Sequence, residues 1–417
     1  MAYKKGAEMR GTDVVVTGMG AITPLGADVR STWEGLLSGR SGIGLMTFPG
    51  HEDDQLARVV AGTMATDPAG LLAPAQARRL DRSQQAALVA AAEAWADAGA
   101  PDVDPERLAS SIGTGIGGVQ TLLAQDDVLE QSGVRRVSPR TVPMLMPNAA
   151  AALVSIAYGA RAGSYTPVSA CSSGAEAIAL GARLIRAGEA DVVIAGGTEA
   201  AITAITVAGF QQAQSLSRYA EDPASASRPF AADRSGFVLG EGAAVLVLES
   251  AEHAAARGAH VHGVIAGAGI ASDAHHVTAP APDGRGQVSA MRKALAQAGL
   301  TPDRIGHVNA HATGTPVGDT AEAVAIGEVF GRATVTAPKA ALGHLFGAAG
   351  AIEALIAILS VKHDVIPPTR SIGPAGVDPG IDLDVVTERR DVAQHAVLSN
   401  SFGFGGQNVS LVVTRAG

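Results

Sequence analysis

The sequence predicts an α/β protein whose sheet is buried on both faces. Short apolar runs alternate with alanine-rich stretches of helical spacing, which is the pattern of layered α/β folds. Several runs are apolar at consecutive positions, as expected for strands that are covered on both sides. Hydrophobic residues make up 47% of the 417 residues and charged residues 17%, which excludes a disordered chain and leaves enough apolar surface for a large core.

The predicted elements follow one another along the whole chain. Strands are expected at Val14–Thr17, Ser111–Thr114, Val192–Ala195, Ala243–Leu248, Val261–Ala268, His307–Ala310, Val335–Ala337, Ala396–Leu398 and Val409–Val413. Helical spacing marks Gln84–Ala98, Ser172–Ala187, Val288–Ala298, Asp319–Phe330 and Gly350–Lys362. A helical segment ends near Gly258 and a new strand follows, so we predict two halves, residues 1–258 and 259–417. No short sequence repeat relates the halves, so any duplication would be structural.

The composition excludes several classes of protein. A net charge of −9 disfavours nucleic-acid binding, because phosphate recognition needs a basic surface. One cysteine allows neither an intramolecular disulfide nor a cysteine-cluster metal site, which is typical of an intracellular protein. Thr141–Ala160 carries no charge over 20 residues, but its prolines and alanines favour a buried loop and a core helix over a membrane span. The opening segment MAYKKGAEMRGTD lacks the apolar stretch of a signal peptide, so we expect a cytoplasmic protein.

The cysteine lies where a predicted strand meets a helix, in the segment VSACSSGAEAI around Cys171. A helix start offers unpaired backbone N–H groups and the positive end of the helix dipole, which favour a thiolate and can hold an oxyanion. Cys171 is therefore a candidate nucleophile, and an inert buried thiol is the alternative.

Two histidines lie in similar settings. His311 follows an apolar strand in HVNAHATGTPVGD, and His344 lies in a glycine-rich turn in KAALGHLFGAAGAIE, five residues after Lys339. Each could by itself be a satisfied core histidine. Together with a cysteine at a helix start, they predict nucleophilic catalysis on an acyl group, with the imidazoles polarising a carbonyl or stabilising an enolate.

A fourth segment, NSFGFGGQN, places Phe402 and Phe404 between glycines in a chain with only 3% aromatic residues. Glycine lets such a backbone move or aim its N–H groups, and a phenylalanine can close an apolar pocket. The alternative interpretation is a hairpin turn with two core aromatics.

Taken together, the four segments closely resemble the elongating β-ketoacyl-acyl-carrier-protein synthases of type II fatty acid synthesis. RPFAADRSGFVLGEGAA and the opening VVVTGMGAITPLG resemble the same family, so the likeness runs from about Val14 to Val413. The resemblance implies a thiolase fold, with two similar halves in a five-layered α-β-α-β-α arrangement, and a dimer. The implied reaction is a decarboxylative Claisen condensation of malonyl carrier protein with a cysteine-bound acyl chain, which becomes two carbons longer.

The resemblance also implies a set of catalytic residues. Cys171 would be the nucleophile, and His311 and His344 would bind the malonyl thioester carbonyl and stabilise the enolate. Lys339 would be the essential lysine, with Glu353 as its partner. No metal or redox cofactor is implied, since phosphopantetheine arrives on the carrier protein.

Binding roles follow from the same resemblance. The backbone N–H of Phe404 would complete an oxyanion hole with that of the cysteine, and Phe404 and Phe402 would form a mobile gate. Thr313 and Thr315 would bind the pantetheine arm, and Ile116 would line the acyl pocket. Docking of the acyl carrier protein is expected at five arginines: Arg78, Arg79, Arg135, Arg136 and Arg218.

Related families fit less well, but two alternatives stay open. Thiolase-like enzymes need a second cysteine, initiating synthases pair cysteine with His and Asn, and chain-length factors generally lack the nucleophile. The ketosynthase subunit of a type II polyketide synthase keeps the same Cys-His-His set, and Gln407 differs from the Thr or His expected after GFGG in fatty acid enzymes. That alternative would replace the homodimer by a heterodimer with a chain-length factor. The second alternative is a non-catalytic protein of the same fold that binds acyl groups or carrier protein.

Overall fold

The computed structural model describes residues 13–48, 50–51 and 56–416. The segment on which the signal-peptide prediction rests lies, apart from Asp13, outside the described residues.

The strands, numbered β1 to β16 in chain order, are Val14–Ile22, Gly44–Met46, Val59–Gly62, Leu108–Gly113, Gly163–Tyr165, Val192–Glu199, Leu239–Gly240, Gly242–Ser250, Gly263–Ser272, Ile305–Asn309, Thr334–Thr336, Val365–Ile366, Asp384–Val385, Arg390–Asp391, Ala396–Gly403 and Gln407–Thr414. The α-helices, α1 to α13, are Val29–Leu37, Pro74–Ala77, Arg82–Asp97, Val119–Ser132, Thr141–Leu145, Ala149–Tyr158, Ser173–Arg186, Ala204–Gln212, Ala251–Ala256, Arg285–Ala298, Pro316–Phe330, Lys339–Leu342 and Ala349–His363. Each strand and helix predicted from the sequence is present, with ends that differ by a few residues.

The largest sheet of the described chain has eleven strands, in the order β13-β11-β10-β15-β16-β9-β1-β8-β6-β4-β5. It consists of two half-sheets that meet at β1 and β9, where the described pairs are Val15–Val264 and Val16–Gly263. From this junction outward, each half-sheet has two antiparallel pairings followed by two parallel ones, along β1, β8, β6, β4, β5 and along β9, β16, β15, β10, β11. The duplication that the sequence does not reveal is therefore present in the strand topology.

The helices complete five layers. The middle layer contains α7 and α13, which pack against each other and against both half-sheets. The outer face of the first half-sheet is covered by α3 and α6, and that of the second by α10 and α11. The residues of α13 are buried from Ala349 to Val361, as expected for a helix that is apolar all round. The predicted α-β-α-β-α arrangement of two similar halves is confirmed.

Among the residues that the structure describes, one helical stretch is long and apolar enough to cross a membrane. It is Phe346–His363, and 89% of it is buried inside the protein. Since it contains the middle-layer helix α13, packing between two half-sheets accounts for its composition.

The prediction for Thr141–Ala160 is wrong in part. Residues 141–148 are not a buried loop: they form the short helix α5 and a turn, and Val142 is 60% exposed. Helix α6 packs Ala151 and Val154 against the first half-sheet, but its Ile156 is 77% exposed. The uncharged segment therefore contains exposed apolar side chains as well as side chains that pack in the core.

The duplicated topology also positions the candidate chemistry. Cys171 lies between β5 and α7 in the first half, and His344 lies at the equivalent place in the second half, between β11 and α13. Because α7 and α13 pack side by side in the middle layer, these two residues are brought together from opposite halves. His311 follows β10, another strand of the second half-sheet.

Candidate active site

One cavity of about 360 Å³ brings most of the predicted site residues together. The cavity is lined by residues of both halves of the chain. Among them are eight predicted from the sequence: Ile116, Cys171, His311, Thr313, Thr315, His344, Phe402 and Phe404.

Cys171 lies in a single 3₁₀ turn directly before α7 and is buried. Its neighbour Ala170 has a φ of +52°, a left-handed conformation that costs a non-glycine residue about 1–2 kcal/mol. Such strain is typical of functional sites, where the surrounding structure maintains it. Burial raises the pKa of Cys171 to about 11, so the resting group is a neutral thiol. Burial thus opposes the preference for a thiolate that is expected at a helix start.

His344 is the direct neighbour of this thiol. Its Nε2 lies 2.9 Å from Sγ of Cys171. Burial, together with the positive charge of Lys339, holds the pKa of His344 well below its usual value of 6.5. A neutral imidazole at this distance can accept the proton of the thiol and so generate the nucleophile when it is needed.

His311 is held from behind by a buried ion pair. Lys339 Nζ contacts the carboxylate of Glu353 and lies 3.3 Å from Nδ1 of His311. An ammonium group can only donate, so Nδ1 accepts and the proton of the neutral ring is on Nε2. Burial, with the charges of Lys339 and His344, lowers the pKa of His311 well below 6.5. The ion pair thus fixes His311 as a neutral N–H donor.

The three reactive side chains form one compact group. A nitrogen of His311, a nitrogen of His344 and Sγ of Cys171 all lie within 4.8 Å of one another. The two imidazole rings are nearly perpendicular, with centroids 5.4 Å apart. This spacing leaves both rings able to donate to one carbonyl oxygen placed beside the sulfur.

The hairpin of β15 and β16 closes over the cysteine. Its three-residue turn begins at Phe404, whose backbone N–H donates towards the sulfur of Cys171. Gly403 permits this approach, because a Cβ there would lie 2.5 Å from a carbonyl oxygen and 3.1 Å from the backbone nitrogen of Cys171. Phe402 is buried with its ring 6.1 Å from that of His311, whereas Phe404 is 41% exposed. The segment is a hairpin turn that lines the cavity, but only one of its two aromatics, Phe402, is a core residue.

The two threonines lie at the start of α11, on the same cavity. Their hydroxyls are 3.1 Å apart, and Thr315 is the N-cap residue. Asp319 shapes the turn by accepting hydrogen bonds from the backbone of Thr313 and Gly314 at 3.0 and 3.1 Å. Burial raises the pKa of Asp319 to about 6. The hydroxyls are thus presented by a rigid turn.

Sequence reasoning missed three buried acids of this cavity, Glu199, Asp273 and Glu322. Glu322 accepts hydrogen bonds from the backbone N–H groups of His311 and Ala312 at 2.8 and 2.7 Å, so it fixes the chain at His311. Burial raises the pKa of Glu322 to about 7 and that of Glu199 to about 6. Glu322 lies three residues after Asp319 on one face of a helix, and this spacing is the signal that could have found it.

An aromatic cluster was also missed. The rings of Phe210, Phe237 and Phe346 contact one another with centroids 5.1 to 5.8 Å apart, and all three line the cavity. The ring of Phe346 also lies 4.8 Å from that of His344. Phe237 and Phe346 stand beside glycines in motifs quoted above, but their meeting with Phe210 depends on the fold.

The structure does not place the five arginines in the cavity. Their side chains are exposed on the surface. Arg218 is three residues from Ser215, which lines the cavity, and Arg135 and Arg136 follow α4, the helix that begins just after Ile116. Their docking role stays a prediction.

Comparisons with known proteins match this arrangement. Family models for the beta-ketoacyl synthase N-terminal and C-terminal domains match residues 11–254 and 262–373. Over 406 residues the chain is 46% identical to the 3-oxoacyl-[acyl-carrier-protein] synthase 2 of Mycobacterium tuberculosis, covering 96% of this chain and 97% of that protein. A beta-ketoacyl synthase from Burkholderia phymatum superposes with a TM-score of 0.88 and 35% identity, over 97% of this chain and 100% of that one. The ishigamide ketosynthase/chain length factor superposes with a TM-score of 0.87 and 31% identity, over 97% and 99%.

Proposed function

The chain belongs to the β-ketoacyl synthase family and has its thiolase fold, and from that premise we propose that it elongates acyl chains on acyl carrier protein. The reaction is the decarboxylative condensation of a malonyl group with an acyl chain held on Cys171. The observation that carries the proposal is the contact of 2.9 Å between Cys171 Sγ and His344 Nε2, with a second neutral imidazole beside it.

The first step loads the enzyme. His344 takes the proton of the Cys171 thiol, and the sulfur attacks the thioester carbonyl of an acyl carrier protein. The negative charge on the carbonyl oxygen is stabilised by the backbone N–H groups of Cys171 and Phe404. When the intermediate collapses, the bond to the pantetheine sulfur breaks and the proton on His344 passes to that sulfur. The products are acyl-Cys171 and free carrier protein.

The second step forms the carbon–carbon bond. After the loading step the proton of the neutral His344 ring is on Nδ1, and exchange through solvent moves it to Nε2. Malonyl carrier protein then places its thioester carbonyl between the Nε2–H groups of His311 and His344. As CO₂ leaves, the electron pair of the broken bond moves into an enolate whose oxygen these two donors stabilise. The enolate carbon attacks the acyl carbonyl on Cys171, and the same oxyanion hole receives the charge. The Cys171 thiolate then leaves and takes the Nε2 proton of His344, while Nδ1 of His344 takes up one proton from solvent. The product is a β-ketoacyl carrier protein with two more carbons.

Binding of the substrate follows from the position of the cavity walls. We assign the pantetheine arm to the hydroxyls of Thr313 and Thr315 and the acyl chain to the side of the cavity lined by Ile116. Phe404, which is 41% exposed and is followed by two glycines with positive φ, acts as the gate together with the buried Phe402.

The acyl carrier protein is the proposed protein partner. The proposal is supported by the relative from Mycobacterium tuberculosis, which is named a 3-oxoacyl-[acyl-carrier-protein] synthase. Because carrier proteins are acidic and this chain has a net charge of −9, a local basic surface has to steer the encounter, and the exposed arginines supply it.

A homodimer is the proposed assembly. The strand β5 is an edge of the eleven-stranded sheet, and an exposed edge is a template for pairing with another chain. Just before it in the sequence, Val142 and Ile156 expose apolar side chains by 60% and 77%. Sedimentation of the purified chain alone tests this, since a heterodimer with a chain-length factor would need a second polypeptide.

The proposed chemistry uses no metal or redox cofactor. Although the sulfur and two imidazoles could ligate a metal by distance, the reaction needs them free as nucleophile, proton carrier and hydrogen-bond donors. Turnover should therefore be unchanged after treatment with EDTA, and loss of turnover would contradict this part of the proposal. A cytoplasmic location is also proposed, and cell fractionation tests it.

A polyketide pathway is the second candidate. It is favoured by the likeness to the ishigamide ketosynthase/chain length factor and by Gln407 after GFGG. The identity of 46% to the 3-oxoacyl-[acyl-carrier-protein] synthase 2 of Mycobacterium tuberculosis, against 31% to the ishigamide protein, supports lipid elongation as the first candidate.

Intact-mass spectrometry of the protein purified with its own carrier protein tests the function. We expect an acyl group on wild-type Cys171 and none on the Cys171→Ala variant, which keeps the fold because alanine suits a helix start sterically. The mass of the group distinguishes a saturated chain from a polyketide intermediate. Acylation of the alanine variant would overturn the nucleophile assignment.

A further inference from the structure

We propose that Glu199 is a positioning residue that couples the wall of the acyl pocket to the turn bearing His344. This proposal rests on the function proposed above and adds to it a residue whose carboxylate oxygens are bound by the protein's own donors.

Glu199 is fully buried and collects four hydrogen bonds from two segments of the chain. Its Oε2 accepts from the backbone N–H groups of Gly115 and Gly347 at 2.6 and 3.1 Å. Its Oε1 accepts from the Thr114 hydroxyl at 3.2 Å and from the backbone N–H of Ile116 at 3.3 Å. A carboxylate has about four lone-pair sites, so Glu199 has none left for a substrate. Its function is therefore to hold the two segments.

These two segments meet through backbone alone. A Cβ on Gly347 would lie 2.4 Å from the backbone nitrogen of Gly115, so no side chain can interlock them. Gly347 also packs on the first turn of α7, since a Cβ on Gly174 would lie 2.8 Å from its carbonyl oxygen. Gly347 is three residues after His344, and Gly174 is three residues after Cys171. The carboxylate of Glu199 therefore fixes the position of the Gly347 turn relative to the start of α7. The distance between Cys171 Sγ and His344 Nε2 depends on that position.

The charge of Glu199 points to the same role. The negative charges of Glu199 and Glu353 raise the pKa of Cys171, whereas Lys339 and the backbone N–H of Phe404 lower it. An anion at this place opposes formation of the thiolate, so it is not there to activate the nucleophile. The role of Glu199 therefore lies in its two oxygens, which accept the hydrogen bonds that hold the two segments together.

The test is Glu199→Gln, in which one oxygen remains and the NH₂ group faces the backbone donors. The Gly347 turn should then shift, and misplacement of a catalytic group by about 1 Å costs up to ~10²-fold in rate. We expect kcat for both condensation and malonyl decarboxylation to fall at least ~10-fold. KM for malonyl carrier protein should stay within about twofold, because the arm site and the surface arginines are not connected to Glu199.

Glu93→Gln is the matched control. Glu93 also accepts two backbone N–H groups, those of Ala21 and Val29, and burial raises its pKa to about 7, but it does not line the cavity. The Glu93→Gln variant should therefore have the kcat of the wild-type protein. Wild-type kcat in a folded Glu199→Gln variant, a rise in KM alone, or an equal loss of kcat in Glu93→Gln would overturn the proposal.

Two further measurements decide the remaining cases. If Glu199→Gln does not fold, Thr114→Val removes one of the four donors, and a fall in kcat at unchanged KM supports the proposal whereas wild-type kcat overturns it. If the wild-type protein does not catalyse the condensation, the proposed function is wrong, but the positioning role of Glu199 can still be tested. The rate at which iodoacetamide alkylates Cys171 reports the contact of the thiol with His344. A changed alkylation rate in the Glu199 variant supports the positioning role, and an unchanged rate overturns it.

Discussion

Replacing Lys339 by methionine separates the two effects of the ion pair behind His311. Methionine keeps the length and volume of the side chain but removes its charge and its donor. Glu353 is 1% exposed, and its Oε2 has no hydrogen-bond partner among the described residues, so it would become an isolated buried carboxyl group. Removing one partner of a buried ion pair costs about 3–5 kcal/mol of folding free energy.

This destabilisation should depend on pH. Burial raises the pKa of Glu353 to about 7 even with Lys339 in place, and the loss of Lys339 raises it further. The folded-state pKa then lies above the unfolded value of 4.5, so the protonated folded form is favoured at low pH. The Lys339→Met variant should therefore lose stability as the pH rises through that folded-state pKa.

The effect on activity has a different origin. Without Lys339, Nδ1 of His311 has lost the donor that kept the proton on Nε2. Decarboxylation of malonyl carrier protein should fall by about 10²–10³-fold, the range for losing one donor to a developing oxyanion.

The double variant Lys339→Met/Glu353→Gln is the control, because it leaves no buried charge. Urea denaturation should show most of the lost stability regained, while the decarboxylation rate stays low. A double variant as unstable as the single one, or a single variant with wild-type decarboxylation, would refute the reasoning.

Three other predictions follow from the same geometry. Cys171→Gln mimics an acylated site and should decarboxylate malonyl carrier protein at a rate that is flat from about pH 7 to 9, because burial and Lys339 keep the pKa of both histidines below 6.5; a rate that halves within this range contradicts it. His311→Ala and His344→Ala should each lose at least ~10²-fold in condensation, but acylation of the cysteine, measured by mass spectrometry, should slow mainly in His344→Ala. Equal loss of acylation in both variants would mean that the proton carrier is misassigned. Arg135→Glu with Arg136→Glu should raise the KM for carrier protein and weaken the salt dependence of that KM, whereas turnover of a small pantetheine thioester should not change. An equal loss of turnover with both substrates would mean that these arginines stabilise the fold and do not dock the carrier protein.

The sequence by itself predicted the strands and helices that carry the motifs, and it predicted which residues of those motifs form the candidate site. Each motif is a contiguous strand–turn–helix segment, so the residues that make Cys171 the start of a helix and that place His344 in a glycine-rich turn are its immediate neighbours. The short spacing from Lys339 to His344 is likewise local. Such features depend on backbone periodicity and on turn residues, which can be identified without knowledge of the fold.

The tertiary structure decided what depends on burial and on contacts between distant segments. The pKa of Cys171 is raised rather than lowered, because the strands and hairpin packed around the thiol exclude water. Glu199 reads in the sequence as an ordinary acid after a strand, and its function appears in the contact with Gly347, 148 residues away. The uncharged stretch at Val142 is exposed, although its composition alone predicts burial. In each case the free energy comes from desolvation and from partners that chain neighbours do not supply, so local sequence could not determine it.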